Sequence, residues 1–148
     1  MDSILTNLET IFNAAIAAGD IDLRHVQVGY DERPENIPVE NYPFLAIDDA
    51  GEYVDDKVGG STAQLRIYQV MLEIGCIKST LSDAVKKIIT ISNDMKTILE
   101  LEANRQKDGH QWGVSITPIA MSDDVQGVYR GRRVIVNFFD LEDKYQDY

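Results

Sequence analysis

The chain has 148 residues, 44% of them hydrophobic and 26% charged, which predicts one soluble globular domain built on a single core. Its 14 lysines and arginines stand against 25 aspartates and glutamates, and the net charge of -11 argues against broad binding to nucleic-acid phosphates. The single cysteine, Cys76, excludes a disulfide framework and suits a reducing compartment; no apolar run reaches the roughly 18 residues of a membrane span, and "MDSILTNLETIF" has acids and no basic cluster, unlike a secretory signal.

In chain order, Ile4, Leu5, Leu8, Ile11, Phe12, Ala15 and Ile16 keep the spacing of one helical face, with Asp2 or Ser3 as the cap and Gly19 as the stop. "DLRHVQVG" alternates Leu23, His25 and Gln27 against Arg24, Val26 and Val28 and reads as a short strand. "YDERPENIPVENY" is a loop of about a dozen residues, long for a compact domain and suggestive of an interacting role. "PFLAIDD" is a second strand, followed by "DDAGEYVDDKVGGS", which reads as a turn-rich acidic loop. "TAQLRIYQVMLEIGCI" is a long β-branched strand whose alternation changes phase. Leu65 and Ile67 mark one face and Val70, Leu72, Ile74 and Cys76 the other, which implies a bulge near Tyr68 or Gln69, or burial on both faces.

The most regular pattern is a helix from Thr80 or Leu81 to about Ala103, with Leu81, Ala84, Val85, Ile88, Ile89, Ser92, Met95, Ile98 and Leu99 in helical register. Ser79 or Thr80 can cap it, with Asp83 near a capping-box position. "RQKDGHQ" ends it. "WGVSITPIAM" then turns Trp112, Val114 and Ile116 inward and Ser115 and Thr117 outward, with Pro118 marking an edge or a bulge. "SDDVQG" is a turn, the last strand runs from about Val128 to Phe139, and an acidic tail begins at about residue 140. Consecutive strands joined by short turns favour antiparallel pairing. The expected fold class is α+β: a single mostly antiparallel sheet of about five strands with two helices packed on one face, spanning residues 1–148 as one domain.

No reaction is legible. His25 and His110 have no His, Cys or carboxylate at ligand spacing, so a metal site is not expected. Cys76 lies in an apolar strand with nothing nearby to lower its pKa, as in an inert buried thiol. Gly59 and Gly60 lack the spacing and the lysine of a phosphate-binding loop. The expectation is therefore a protein that is not an enzyme and carries no cofactor.

Two charged stretches stand out. Asp48, Asp49, Glu52, Asp55 and Asp56 put five carboxylates in nine residues, without EF-hand spacing. They form either a plain solvated loop or a surface that repels another polyanion. Near the other end, "GVYRGRRVIVNFFD" gathers Arg130, Arg132 and Arg133 just before an apolar run. Strand alternation puts Arg130 and Arg132 on one face and Arg133 on the other. Their stems can simply cover the sheet and pair with local acids. Yet Ile135, Asn137 and Phe139 on one face and Val134, Val136 and Phe138 on the other leave both faces apolar, and two helices cover only one. The second face then meets another subunit, with Arg130, Arg132, Arg133, Ile135 and Phe139 at the contact and the arginines gripping carboxylates of the neighbour.

This layout resembles the tail terminator, or tail completion, proteins of long-tailed bacteriophages. The resemblance runs along nearly the whole chain. It rests on a helix before the first strand, "YPFLAIDDAGEYVDD" as a hydrophobic strand with an acidic segment, "TAQLRIYQVMLEIGC" feeding the helix "LSDAVKKIITISNDMKTIL", and the closing strand "RGRRVIVNFF". The loop "DERPENIPVEN" has no counterpart in that pattern. The resemblance implies a virion protein: a ring, usually of six copies, on the end of the tail tube. Such a ring stops tube polymerisation and offers a surface to the head-side connector. Genomic DNA passes through the lumen without specific binding, and Asp48, Asp49, Glu52, Asp55 and Asp56 would face it. The alternatives are a head-side connector or stopper protein of the phage neck, and a non-viral acidic adaptor for one protein partner.

Overall fold

The computed structural model describes residues 2–29, 37–59, 63–77, 81–107, 110–123 and 129–143. Helix α1, Asp2–Ala18, buries Ile4, Leu5, Leu8, Phe12 and Ala15, the stripe its spacing predicts. It closes where Gly19 N–H donates to Ile16 O (3.1 Å) and Asp20 N–H to Ala15 O (2.9 Å), which satisfies two of the terminal carbonyls. The side chains of the two candidate caps, Asp2 and Ser3, lie outside the described set. Strand β1, His25–Val28, turns Val26 and Val28 toward the helices.

Strand β2, Phe44–Gly59, is 16 residues long and runs straight through the acidic segment expected to be a loop. It pairs antiparallel along its length with β3, Ala63–Ile77. Helix α2, Leu81–Glu100, buries Ala84, Ile88, Ile91, Met95, Ile98 and Leu99; residues 78–80, where its caps were expected, lie outside the described residues. The helix stops short of Ala103, and a 3-10 turn, Glu102–Arg105, follows. The two-residue strands β4, Gln106–Lys107, and β5, His110–Gln111, form a small separate hairpin. Strand β6, Gly113–Pro118, and the two-residue β7, Ser122–Asp123, both pair with β8, Tyr129–Asp143.

The sheet has six strands in the order β1-β2-β3-β8-β6, with β7 beside the start of β8. It is antiparallel except for β1 and β2, which run parallel, His25 opposite Phe44 and Val28 opposite Ile47. The antiparallel rule fails there because its premise, a short turn, is absent: residues 29 to 43 separate the two strands. The class is α+β, with both helices on one face. Leu45, Ile47, Val70, Leu72, Ile74, Val134, Val136 and Phe138 meet α1 and α2 there in one continuous core.

The phase change in β3 marks apolar residues on both faces: Val70, Leu72, Ile74 and Cys76 are buried under the helices, whereas Leu65 and Ile67 are half-buried on the other face. The β3–β8 register is unbroken from Ala63 opposite Asp143 to Ile77 opposite Tyr129. The bulge sits instead in β2, where pairing skips from Asp49 to Gly51. Gly51 has φ of 116°, a conformation that side chains rarely adopt, which is why glycine stands there. Strand β8 continues to Asp143, so residues 140–143 of the expected acidic tail belong to the sheet, and residues 144–148 lie outside the described residues.

Candidate functional site

The sheet face away from the helices divides into two parts. Along one row of it lie Ile77, Gly75, Glu73, Met71, Gln69, Ile67 and Leu65 of β3, opposite Tyr129, Gly131, Arg133, Ile135, Asn137, Phe139 and Leu141 of β8. At the Tyr129 end this face is covered by the chain itself. Ile37 and Tyr42, from the segment after β1, pack with Phe44, Ala46 and Tyr129 into a second small core, flanked by Ile77. Phe44 meets Tyr42 edge-on with ring centroids 5.2 Å apart and Tyr129 at 6.2 Å. Phe44 lies over Gly75, so closely that a β-carbon there would come within 2.1 Å of the ring. Part of the long 30–42 loop therefore has a packing role: residues 37–42 close one end of the second face. Residues 30–36 lie outside the described residues.

At the other end nothing among the described residues covers the face. Met71, Ile135, Ile67, Phe139 and Leu65 are half-buried, and Tyr53 and Leu141 are exposed. Phe139 repeats the arrangement of Phe44: it lies over Gly113 of β6, where a β-carbon would also come within 2.1 Å of its ring. A polar row crosses this patch, with Gln69 Nε2 donating to Asn137 Oδ1 at 3.1 Å and Ser115 next in register. Ile135 and Phe139 thus take the positions expected of them, on an open apolar face.

The arginines divide as alternation predicts, but two of them are used within the chain. Arg130 Nη1 is 3.0 Å from Asp123 Oδ1, an ion pair that ties β8 to β7. Its Nε is buried with no hydrogen-bond partner. Arg132 Nε donates to Ile119 O at 3.1 Å and holds down the segment after β6. Both lie on the helix-side face of β8, so the expected grouping of three arginines at one contact does not form. Arg133 alone is on the open side; it is exposed and stands directly opposite Glu73. The sequence shows three equal arginines; the strand period separates Arg133, but the pairing of the others with β7 and Ile119 depends on a turn that periodicity cannot place.

The acids are likewise on a strand, not a loop, and they do not converge. Asp48 and Asp55 lie on the face of Tyr53, whereas Asp49 and Glu52 lie on the face of the helices, as their partners Met71, Leu65, Val70 and Tyr68 show. Asp48 Oδ1 accepts the N–H of Asp49 at 2.9 Å, and Asp49 Oδ1 accepts that of Gly51 at 2.7 Å, so these two shape the bulge. Glu52 is ion-paired with Arg66 of β3. Beside this pair burial raises the Tyr68 pKa, with the Glu52 charge adding to it and Arg66 opposing it. Asp56 is in β2, and its side chain is outside the described set.

His25 Nε2 lies 2.9 Å from Gln27 Oε1, and the His110 side chain is outside the described set. Among the described residues no three His, Cys, Asp or Glu side chains gather at a metal-binding distance. No helix among them is long and apolar enough to cross a membrane. A cleft of about 360 Å³ beside Cys76 is lined by Arg24, Tyr42, Pro43, Asp83 and Lys87. Cys76 is only 2% exposed, and burial pushes its thiol up from 9.0 to about 11, Lys87 opposing and Asp22 adding. That is a thiol held neutral, the opposite of what a nucleophile needs. What the described residues leave is a half-covered sheet face with an exposed charge at its margin. Set against known protein families and curated protein sequences, the chain matches none of them.

Proposed function

We propose that the chain is a structural virion protein that assembles with copies of itself into a ring, most simply a hexamer, on the end of a bacteriophage tail tube. There it stops tube polymerisation and joins the tail to the head-side connector, with DNA passing through the lumen. The observation that carries this reading is the half of the second sheet face that no described residue covers. Ile67, Met71, Ile135 and Phe139 are only half-buried, although each is of a type that small domains bury fully. A ring supplies the missing cover from a neighbouring copy without any other partner. The likeness in element order and segment pattern to phage tail terminators names the setting. The charge of -11 fits a lumen that does not retain DNA. Arg133, Ile135 and Phe139 are the contact residues in this reading, and Arg130 and Arg132 support them from within the chain.

Light scattering on the purified chain, with negative-stain images, tests it. The expected result is a mass of several chains and a closed ring that halts elongation when added to polymerising tail-tube protein. A ring that binds the head-side connector but leaves tubes growing would move the protein to the stopper position. A monomer at every concentration, with no effect on tubes, would leave the acidic adaptor.

A further inference from the structure

The two margins of the sheet differ in a way that bears on how copies would meet. Strand β1 pairs with β2 only from Phe44 to Ile47. From Asp48 to Gly59 the outer edge of β2 has no strand beside it among the described residues. Along this edge stand Asp48, Asp49, Glu52 and Asp55, interleaved with the exposed apolar side chains of Tyr53 and Val54. The opposite margin is formed by β6, whose sequence GVSITP carries no charge, and by the segment after it. The exposed Arg133, the half-exposed Arg132 and the exposed Ile119 stand together at this corner, where Ile119 N–H donates to Arg133 O at 2.8 Å. One margin is thus anionic with apolar groups beside the charge, and the other is cationic with an apolar group beside the charge.

An open strand edge is a template for a second chain, and like charges along it keep it from pairing with its own kind. Two β2 edges brought together would set carboxylate against carboxylate, and two arginine corners would repel in the same way. The combination that brings opposite signs together is one edge of each kind. A carboxylate that already accepts one backbone N–H, as in Asp48 and Asp49, keeps further lone pairs for an arginine fork. We infer that copies of this chain join head to tail, the acidic outer edge of β2 on one copy packing against the Arg132–Arg133 corner of the next. The inference rests on the ring reading above and adds to it the identity of the two surfaces. It also gives the carboxylates of β2, beyond their contacts within the chain, a partner on the neighbouring copy, in keeping with their division between both faces of the sheet. A heterologous contact of this kind repeats in one direction, so it closes into a ring or runs on as a filament, and it does not stop at a pair.

Two charge-reversed chains test the inference. The first carries Asp49→Arg with Asp55→Arg, which cancels the net charge of Asp48, Asp49, Glu52 and Asp55 and leaves its arginine corner intact; the second carries Arg133→Asp, which cancels the charge of the Arg132–Arg133 corner and leaves its β2 edge intact. Each alone is expected to self-associate at least about tenfold more weakly than the unmodified chain, an effect that corresponds to several exposed charge contacts. Circular dichroism and thermal unfolding should show each still folded. Mixed in equal amounts, they are expected to form at least a one-to-one pair, through the intact β2 edge of the second and the intact arginine corner of the first, measured by light scattering. Added salt should weaken the unmodified assembly. If the unmodified chain forms rings and both variants form them equally well, the edge contact is wrong and the ring reading stands. A mixture that forms no such pair, while the unmodified chain assembles, would also overturn the head-to-tail contact. If the unmodified chain is a monomer throughout, both readings fail together.

Discussion

The second sheet face carries the same device twice, with opposite outcomes. At one end Phe44 lies over Gly75, and at the other Phe139 lies over Gly113, each ring so close that only a glycine fits beneath it. Phe44 is then sealed by Tyr42, Tyr129 and Ile37 and has no exposed surface. Phe139 remains half-open between Ile67, Gly113 and the exposed Leu141. The strands are not what differs, since both rings sit on paired antiparallel residues. What differs is the segment 37–43, which folds back over one end and is too far along the sheet to reach the other. A phenylalanine placed on glycine prepares a flat apolar patch; whether the patch becomes core or contact depends on what the chain lays over it.

The largest effect that separates the two ends is expected from removing the rings. Phe44→Ala should destabilise the monomer by about 3–5 kcal/mol, as for a fully buried aromatic. Phe139→Ala should cost about 1 kcal/mol in the monomer, since part of its surface is already in water, while it weakens self-association markedly. Urea unfolding with light scattering on the same samples measures both. Equal losses of monomer stability would mean that the open end is a second core and not a contact surface.

The glycines give the next smaller contrast. In Gly75→Ala the new methyl meets the Phe44 ring, which Tyr42 and Tyr129 hold in place, so overpacking should cost roughly 1–3 kcal/mol. In Gly113→Ala the Phe139 ring has open space to swing into, so the monomer should lose less than about 1 kcal/mol. The displaced ring would spoil the flat patch, and assembly should suffer more than stability. A Gly113→Ala chain that assembles normally would show that the flatness of this end has no role.

How much of this was legible in the sequence follows from what each pattern encodes. Period-two alternation in "RGRRVIVNFF" gave the two faces of β8 correctly, Val134, Val136 and Phe138 under the helices and Ile135 and Phe139 opposite. Helical spacing likewise gave the buried stripe of α1 and most of that of α2, although Ile89 of the expected stripe is exposed and Ile91, outside it, is fully buried. The acidic segment departs from the expected loop because glycine and aspartate are turn formers by propensity, yet Gly51 serves a bulge and the rest of β2 is held extended by its pairing with β3 from Ala63 to Gly75. The parallel placement of β1 and the cover over Phe44 both come from a loop, where neither period operates. The shared Phe-over-Gly arrangement was not visible either, because Gly75 and Phe44 are neighbours only once the β2–β3 register is known. Ile135 and Phe139, the residues proposed for the contact, could be picked from the sequence as facing away from the helices, but not as left open by the described residues: that depends on where the cover ends.

The smallest and most local effect concerns Cys76, which belongs to the helix-side core but lies at the same end of the sheet as the aromatic cover. It lines the same cleft as Tyr42 and Pro43, so loosening the aromatic cover should admit reagent to it. In the unmodified chain, burial that raises the thiol pKa to about 11 leaves little thiolate at pH 8, and labelling by a maleimide should be slow. Because the folded-state pKa lies above the ordinary 9.0, the neutral thiol's contribution to stability is complete below about pH 9 and is lost as pH rises through about 11. Labelling at pH 8 followed by mass spectrometry should therefore find Tyr42→Ala several times more reactive than the unmodified chain, and Phe139→Ala no more reactive. A matching increase in Phe139→Ala would mean that the two ends of the face open together, and the contrast between a sealed end and a contact end would have to be given up.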